Sequence, residues 1–445
     1  MDNIISVTIE NFKNIGNAVT IPIRPITLLF GKNSSGKSTV LQALHYINKC
    51  IQYMDGRARS EKWAAEPDYV DPSIDIGDFH SLVHRHELNR TIRIRIEFDS
   101  PSAPSSWIEM TVSKGGLSFT DSEKPNTYHS EYGIENMIWH GMHALRNIRY
   151  LGPLREVPPR NYYPQMPPNE SLWTKGLEAW NTLARNPKLI EKINHYMRDV
   201  LKLGYVFPLP PDIISLNRDG KIVANLRKIC ASEYIDVNKL KEQVLKPIEQ
   251  LPHYPGEILL RDENHNIDVS PLDVGSGISQ VIPVLVGALH VQPQTNSFYG
   301  QPGKFFAVEQ PELHLHPAAQ VALGDLFIDG IKNSNRTMLI ETHSEHLLLR
   351  LLRRVRETNV RNSKKHEWRQ SSMSQLHREM SEEAIRDAEN QDSKDHQLTS
   401  DDLSIVYVLP TSEGVEFIPL TVTDDGDFDG PWPEGFFDER VKELL

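Results

Sequence analysis

A glycine-rich segment near the beginning of the chain has the residue types and spacing of a phosphate-binding loop. Residues 31–38 read GKNSSGKS and match the pattern G-x-x-x-x-G-K-[ST] at every fixed position. In such a loop the backbone N–H groups curl around phosphate oxygens, the lysine reaches the β- and γ-phosphates, and the last hydroxyl ligates Mg²⁺. The sequence therefore predicts a site for a nucleoside triphosphate with Mg²⁺. The residues predicted to contact it are Gly31, Lys32, Asn33, Ser35, Gly36, Lys37, Ser38 and Thr39.

The segments on both sides of this loop are those that a phosphate-binding loop needs. Residues 26–30 (ITLLF) are a short apolar run typical of a buried strand. Residues 39–47 begin a helix, because apolar side chains recur in them at helical spacing. A strand, a glycine-rich turn and a helix in this order direct the helix N-terminus, with its positive potential, at the phosphates.

A carboxylate for the metal is predicted much later in the chain. Residues 305–309 (FFAVE) are an apolar strand that ends in Glu309, which can hold Mg²⁺ directly or through water together with Ser38. A second apolar strand, residues 337–340, runs on toward His343. A histidine at the end of a neighbouring strand can reach a γ-phosphate.

A second glycine-containing turn lies upstream of Glu309. Residues 273–280 read DVGSGISQ and precede the apolar helical run 281–289. Gly275, Gly277 and Ser279 thus lie at another helix start that can bind an anion. One chain rarely needs two such turns unless the second serves another nucleotide.

The motifs occur in the order found in an ABC-type ATPase head, and their particular residues resemble those of one branch of that group. Residues 9–13 read IENFK, residues 309–317 read EQPELHLHP, and residues 341–346 read ETHSEH. With these motifs the chain resembles the SMC/RecF-like ATPases. Residues 432–439 (WPEGFFDE) are similar to the ending of prokaryotic AAA-family ATPases that carry a short C-terminal domain.

The resemblance covers roughly residues 1–160 and 265–356 plus the tail, and it implies a fold and a mechanism. The implied fold is α/β: an ABC/RecF-like P-loop ATPase head with a helical insertion and a small β-rich C-terminal domain. In such ATPases two heads face each other, and the turn at residues 275–279 caps the γ-phosphate held by the other head. ATP with Mg²⁺ then joins a homodimer or higher oligomer, hydrolysis releases it, and His343 senses the γ-phosphate.

Position 310 departs from the family pattern. ABC heads usually place a glutamate directly after the metal-binding carboxylate, but this chain has Gln310. A neutral amide can orient water but cannot take its proton. Glu312 is close in sequence and can take over that role; the alternative is that ATP acts mainly as a structural ligand. We favour active but slow hydrolysis. The predicted catalytic residues are Glu309, Gln310, Glu312 and His343.

The composition is that of an ordinary globular protein, with 445 residues, 39% of them hydrophobic and 24% charged. A net charge of −12 argues against nonspecific coating of nucleic acid, although it leaves room for a local basic groove. Two cysteines without metal-ligand spacing fit a reducing compartment. We find no signal-peptide pattern and no apolar run long enough for a bilayer, so we expect a cytoplasmic protein without a membrane partner.

The sequence divides into five segments. Residues 1–160 and 265–356 are expected to form the two halves of the ATPase head, and residues 161–264 a mainly helical insertion between them. Residues 357–402 are polar and charged, which predicts either a solvated helix or a disordered insertion. Residues 403–445 contain two strand patterns and are expected to form the small β-rich C-terminal domain.

Several other patterns suggest chemistry, but a structural interpretation is favoured for each. Histidine pairs at ligand spacing occur at 84/86, 140/143 and 314/316. Surface histidines are favoured for the first two pairs, and a place in the dimer interface beside ATP for the third. Residues 425–430 (DGDFDG) begin like a calcium loop, but the position of the final glutamate holds Phe436, which favours a plain turn.

Nucleic acid contact and a built-in nuclease were weighed in the same way. Residues 347–356 (LLLRLLRRVR) predict a helix with a basic edge, for which packing against the core is favoured over contact with nucleic acid. Arg155 can contact a phosphate or an acidic partner loop, and the sequence does not decide between them. No nuclease pattern follows His343 in the sequence.

Three functions fit these observations. The favoured one is an ATP-driven switch that dimerises around ATP and controls a separate effector such as a nuclease in prokaryotic anti-phage defence, a context that the resemblance alone implies. One alternative is a DNA-repair or chromosome-maintenance ATPase that binds DNA directly. Another, suggested by Gln310, is an ATP-dependent scaffold that does not hydrolyse its ligand.

Overall fold

A computed structural model describes most of the chain, in separate ranges. These are residues 3–57, 77–100, 103–121, 148–160, 162, 170–208, 237–240, 258–290, 305–334, 336–370, 396–412, 414–430 and 432–433. The histidine pair 140/143 and most of the tail motif 432–439 lie outside these ranges. No helix in the described ranges is long and apolar enough to cross a membrane.

Strands and helices alternate along the described chain. The strands are β1 (Asn3–Glu10), β2 (Val19–Pro22), β3 (Ile26–Phe30), β4 (Ile92–Ser100), β5 (Ala103–Ser113), β6 (Gly116–Asp121), β7 (Ile148–Leu151), β8 (Tyr205–Val206), β9 (Leu260–Asp262), β10 (Ile267–Val269), β11 (Phe305–Glu309), β12 (Thr337–Glu341), β13 (Leu403–Thr411) and β14 (Gly414–Leu420). The helices are α1 (Lys37–Arg57), α2 (Phe79–Leu82), α3 (Leu177–Ala184), α4 (Pro187–His195), α5 (Val237–Leu240), α6 (Ser276–Leu289), α7 (Pro317–Ser334) and α8 (Glu345–Gln370).

A six-stranded sheet carries the strands that precede the predicted site residues. Its order is β14-β13-β3-β12-β11-β7, and all neighbouring strands are parallel except β14, which runs antiparallel to β13. Because β3, β11 and β12 are parallel, their carboxyl ends meet at one edge of the sheet. That edge is where α/β proteins bind ligands.

The central sheet is buried on both faces, which explains why its strands are continuous apolar runs. All five residues of β3 are buried. Leu28 and Phe30 belong to a core formed with α3, α4, α6, α7 and α8, whereas Leu29 belongs to a second core formed with α1 and the other large sheet. Alternate residues of β3 thus point to opposite faces of the sheet and pack into different cores.

The second core is closed by a five-stranded antiparallel sheet of order β2-β1-β4-β5-β6. In β4, Ile92, Ile94 and Ile96 are fully buried while the residues between them are not. The polar and apolar alternation of residues 91–98 therefore gives the half-buried strand that it predicts. Leu41 and Leu44 of α1 pack into the same core.

The C-terminal strands are placed differently from the expectation of a separate β-rich domain. β13 pairs with β3 in parallel, so residues 403–420 extend the central sheet instead of forming a unit of their own. The physical reason is that β3 would otherwise be an unpaired edge strand, and edge strands are normally covered or paired. From the tail motif, Trp432 packs edge-on against Phe30 of β3 with ring centroids 5.7 Å apart.

The two insertions are only partly described. Residues 172–203 are helical as predicted, in α3, α4 and a π-helical turn at 196–200, but β8 and β9 of a small three-stranded sheet also fall within 161–264. In the polar segment 357–402, α8 continues to Gln370. The segment 371–395 lies outside the described residues.

Candidate nucleotide site

The phosphate-binding loop connects β3 to α1, as the sequence predicts. Its two glycines have backbone angles that favour glycine, with φ of 145° at Gly31 and 106° at Gly36. A Cβ atom added to Gly31 would lie 2.4 Å from the carbonyl oxygen of Val408 in β13. The loop therefore packs directly against the C-terminal strand, and only glycine fits at this contact.

Asn14 fixes the other side of the loop and was not identified from the sequence. Its Oδ1 accepts a hydrogen bond from Thr39 Oγ1 at 2.8 Å, and its Nδ2 donates to Ser35 O at 3.4 Å. A Cβ atom at Gly36 would lie 2.4 Å from Asn14 Nδ2. The signal that could have shown this is the position of Asn14 directly after the IENFK motif.

Lys37 is buried beneath the loop. Its Nζ donates hydrogen bonds to Gly31 O at 3.0 Å and to Lys32 O at 2.7 Å. Burial lowers the pKa of Lys37, while the negative charges of Glu341 and Glu309, among other carboxylates, act in the opposite direction. The ammonium group is thus held between the loop and the carboxylates, in the position from which a lysine binds phosphates.

Two carboxylates face each other across adjacent strands. Glu309 and Glu341 end β11 and β12 and are register partners in the parallel pairing. Ser38 Oγ donates to Glu341 Oε2 at 2.6 Å, and the Tyr150 hydroxyl donates to Glu309 Oε1. Burial raises the pKa of Glu309; burial and the charge of Glu309 raise the pKa of Glu341 to about 7. Glu341 is therefore an acidic site residue that the sequence-based list lacks.

These residues fit a bound Mg²⁺. The hydroxyl of Ser38 and the carboxylates of Glu309 and Glu341 are the hard oxygen ligands that this ion prefers. Two buried carboxylates with raised pKa values also repel each other, which a divalent cation relieves. Glu341 could have been recognised in the sequence, because it ends an apolar strand just as Glu309 does.

Gln310 lies directly beyond Glu309 in a left-handed backbone conformation with φ of 43°. This conformation is rare for residues other than glycine, asparagine and aspartate, and it costs free energy unless neighbouring groups impose it. The Gln310 N–H donates to Glu341 O at 2.8 Å, which ties the turn to β12. The side chain is half-buried at the site edge.

Glu312 and His343 contact each other through the backbone. The His343 N–H donates to Glu312 Oε1 at 2.7 Å. Burial raises the pKa of Glu312, while burial and the positive charge of Lys37 lower the pKa of His343 to about 4. The imidazole is therefore neutral at pH 7. Its buried Nε2 atom has no hydrogen-bond partner in the described part of the chain.

The second glycine turn begins α6. Gly275 precedes the first residue of the helix, is exposed, and has open space where a Cβ would be. Gly277 instead packs against its own chain, since a Cβ there would lie 2.5 Å from His314 O. Ser279 is buried and its Oγ donates to Ser276 O at 3.2 Å. The exposed helix start at 275–276 is the part available to an external anion.

The remaining candidate residues have structural partners. The described residues contain no group of three or more histidine, cysteine or acidic side chains placed to hold a metal. His316 Nδ1 accepts from Ala318 N, and His84 Nδ1 lies 2.9 Å from Lys13 O. The 425–430 turn is held by α8, because Arg356 Nε donates to Asp425 O at 2.8 Å.

The basic edge of α8 is neutralised within the molecule. Its arginines form ion pairs with acidic side chains, and Arg354 is bidentate to Asp325 at 2.8 and 3.0 Å. The pairs are Arg350–Asp325, Arg353–Glu357, Arg354–Asp325, Arg354–Glu357 and Arg356–Asp427. This agrees with the structural interpretation of residues 347–356.

Comparison with known proteins assigns the chain to a family. A family model of the AAA ATPase domain matches residues 3–143 and 181–348, which is more than half of the chain. The chain therefore belongs to the AAA ATPase domain family, it is an ATPase, and the prediction of an AAA-family ATPase with an α/β head is confirmed.

Individual relatives are distant. An ATP/GTP phosphatase of Helicobacter pylori (strain ATCC 700392 / 26695) is 21% identical over 373 residues, covering 79% of this chain and 88% of that protein. The SMC head domain from Thermotoga maritima has a TM-score of 0.45 at 10% identity, covering 94% of this chain and 100% of the other. A Smc head domain bound to the C-terminal domain of ScpA, from Pyrococcus furiosus, has a TM-score of 0.46 at 12% identity, covering 100% and 99%.

Proposed function

We propose that this ATPase is a molecular switch in which two copies join around ATP and the joined state controls a separate effector protein. One observation carries the proposal: the molecule has two glycine-led helix starts of different construction. The loop at 31–38 contains the buried Lys37 and lies beside the carboxylates of Glu309 and Glu341. The start of α6 at Gly275 is instead exposed, and no described atom beyond the adjacent residues lies within 4 Å of the place where a Cβ would be. A helix start of the second kind suits a phosphate that another subunit holds.

Within one subunit, each site residue has a part in this proposal. Lys37 exchanges the loop carbonyls for phosphate oxygens, and Ser38, Glu309 and Glu341 would hold Mg²⁺. When bound there, Mg²⁺ would offset the charge that develops on the phosphates. The neutral His343 reaches the γ-phosphate with the unpartnered Nε2.

Slow turnover follows from the residues that handle water. Gln310 orients the water, and Glu312, whose pKa burial raises, takes its proton. Because the base is displaced from its usual position, hydrolysis is slow and the joined state persists between turnovers. A persistent state suits a switch better than a motor.

The effector is proposed to be a nuclease acting in anti-phage defence, in a prokaryotic cell. Support for this part comes from the family resemblance of the motifs at 9–13, 309–317 and 432–439. In this proposal the ATP-bound pair restrains or recruits the effector, and release of the pair changes the effector's state.

Light scattering after size exclusion, with and without ATP and Mg²⁺, tests the switch. The mass of the wild-type particle is expected to double with ATP, and Lys37→Ala is expected to remove the doubling. Lys114→Ala is the control, because Lys114 is an exposed lysine in the turn between β5 and β6 and is not a site residue. A wild-type mass that does not respond to ATP would show that the proposal is wrong.

Phage infection tests the effector part. In cells that express the chain with its neighbouring genes, protection is expected with wild type and Lys114→Ala and is expected to be lost with Lys37→Ala. Equal protection by all three would contradict the proposal. An ATPase rate that rises with added DNA in a salt-sensitive way would favour the DNA-binding alternative instead.

A further inference from the structure

Arg155 lies in the loop after β7, and its side chain is turned into the molecule. The residue is 5% exposed, whereas its neighbour Leu154 is 82% exposed. Burying a guanidinium group is costly unless its donors are satisfied. Burial lowers the pKa of Arg155 to about 10, against the opposing charges of Glu312 and Glu309. The group stays charged at neutral pH.

The hydrogen bonds of this guanidinium go to backbone carbonyls. Nη2 donates to Glu309 O at 2.5 Å and to Gln310 O at 3.2 Å, while Nη1 donates to Gln280 O at 3.2 Å. Among the described residues, none of its donors forms an ion pair with a carboxylate. Arg155 therefore holds both carbonyls that flank the left-handed Gln310.

The same residue is also tied to helix α6. Gln280 Oε1 accepts from the Arg155 N–H at 3.2 Å, and Gln280 Nε2 donates to Arg155 O at 2.7 Å. Gln280 lies in the first half of α6, five residues after the exposed Gly275. One buried arginine thus joins the helix whose start can bind an external phosphate to the turn that carries Gln310.

We propose that Arg155 is a positioning residue that holds the Gln310 turn in its left-handed conformation and couples it to the start of α6. Capture of that helix start by the partner's triphosphate then sets the water-orienting amide for hydrolysis, so turnover depends on the joined state. This inference rests on the proposed function, because the coupling needs a second copy. The sequence left open a phosphate or an acidic partner loop as the contact of Arg155; within its own chain the guanidinium donates to the backbone carbonyls of Gln280, Glu309 and Gln310.

The test compares the ATPase rate per subunit below and above the concentration at which wild type dimerises with ATP. The wild-type rate is expected to rise with dimerisation. Arg155→Lys keeps the charge but loses the forked donor geometry. We expect it to dimerise, to keep the KM for ATP within about twofold, and to lose at least tenfold in kcat because its rate no longer rises.

Two further variants separate positioning from stability. Arg354→Lys is the matched control, since Arg354 is also buried but pairs with Asp325 and Glu357, neither of which is a site residue. Its kcat is expected to stay within about twofold. Gln280→Ala removes the two side-chain hydrogen bonds to the Arg155 backbone, keeps the Gln280 carbonyl that accepts from Nη1, and is expected to reproduce part of the loss. The double variant with Arg155→Lys is expected to be no worse than Arg155→Lys alone, because the two residues act as one unit.

The outcomes distinguish this inference from the proposed function. A wild-type protein that does not dimerise with ATP overturns the proposed function. A wild-type dimer whose Arg155→Lys counterpart keeps the full dimer-dependent rate overturns only the role of Arg155. Additive losses in the double variant would overturn the coupling through Gln280.

Discussion

The two glycine turns of this ATPase both precede helices, but their surroundings differ. In the loop at 31–38, both glycines have positive φ, and the loop is enclosed by Asn14 and by β13. At the start of α6, Gly275 has an ordinary φ of −55° and nothing beside it. Glycine before a helix therefore occurs both in an enclosed loop and at an exposed helix start, and the neighbouring strands determine which of the two forms.

The sharpest way to test this difference is to add a methyl group to each turn. Gly31→Ala is expected to destabilise the protein by about 3 kcal/mol or more, because the new Cβ meets Val408 O at a backbone angle that alanine avoids. Gly275→Ala, the matched change, is expected to alter stability by less than about 0.5 kcal/mol. Chemical denaturation measures both; equal losses would contradict the comparison.

The carboxylates beside the first turn predict a pH dependence that the second turn lacks. Glu341 binds its proton more tightly in the folded state, with a pKa of about 7, than in the unfolded chain. Its contribution is fully present below the unfolded pKa and is lost as the pH rises through about 7. Without Mg²⁺, stability is expected to fall by roughly 2–3 kcal/mol between about pH 5 and pH 8 from this group.

Denaturation curves at both pH values, with wild type and Glu341→Gln, measure this contribution. The variant is expected to lose most of the dependence, and Mg²⁺ with ATP is expected to stabilise wild type more at the higher pH, because it replaces the proton. A variant with an unchanged pH profile would show that Glu341 does not titrate in this range.

Gly277 offers a smaller test within the second turn. A Cβ there would press on His314 O at 2.5 Å, so Gly277→Ala is expected to cost about 1–2 kcal/mol while Gly275→Ala costs little. We also expect Gly277→Ala to weaken ATP-dependent dimerisation by shifting α6 against residues 311–316. Thermal unfolding and light scattering measure the two effects; a variant as stable as wild type would contradict the described packing.

The smallest expected loss of stability comes from removing the side chain of Asn14, which contacts the loop at 31–38. Asn14→Ala removes the hydrogen bonds to Thr39 and Ser35 and is expected to cost about 1 kcal/mol. The KM for ATP should rise, because the loop must then be ordered by the nucleotide. An unchanged KM and an unchanged melting temperature would show that β13 alone enforces the loop geometry.

Much of the site could be predicted from the sequence because its signals are local. The phosphate loop, the strand ending in Glu309 and the start of α6 each depend on a short run of residues, and the structure places strand, loop and helix as expected. His343 follows β12 next to Lys37, whose charge affects its pKa. Its contact with a γ-phosphate remains a prediction.

What could not be predicted depends on contacts between distant segments. The strand pattern marks Glu341 as a candidate, but its position opposite Glu309 depends on the register of β12 against β11, which residue spacing does not encode. For Arg155 the sequence left open a contact with a phosphate or with an acidic partner loop, since nothing local shows that its side chain is buried. The strands at 403–420 were expected as a separate domain, because a β-hairpin pattern does not state which sheet it joins.

The contact between Gly31 and Val408 has a consequence for biosynthesis. β3 leaves the ribosome early, but the strand that flanks it and supports the phosphate loop is made only after most of the chain has been translated. We therefore expect the loop at 31–38 to reach its folded geometry only after residues 403–411 have emerged.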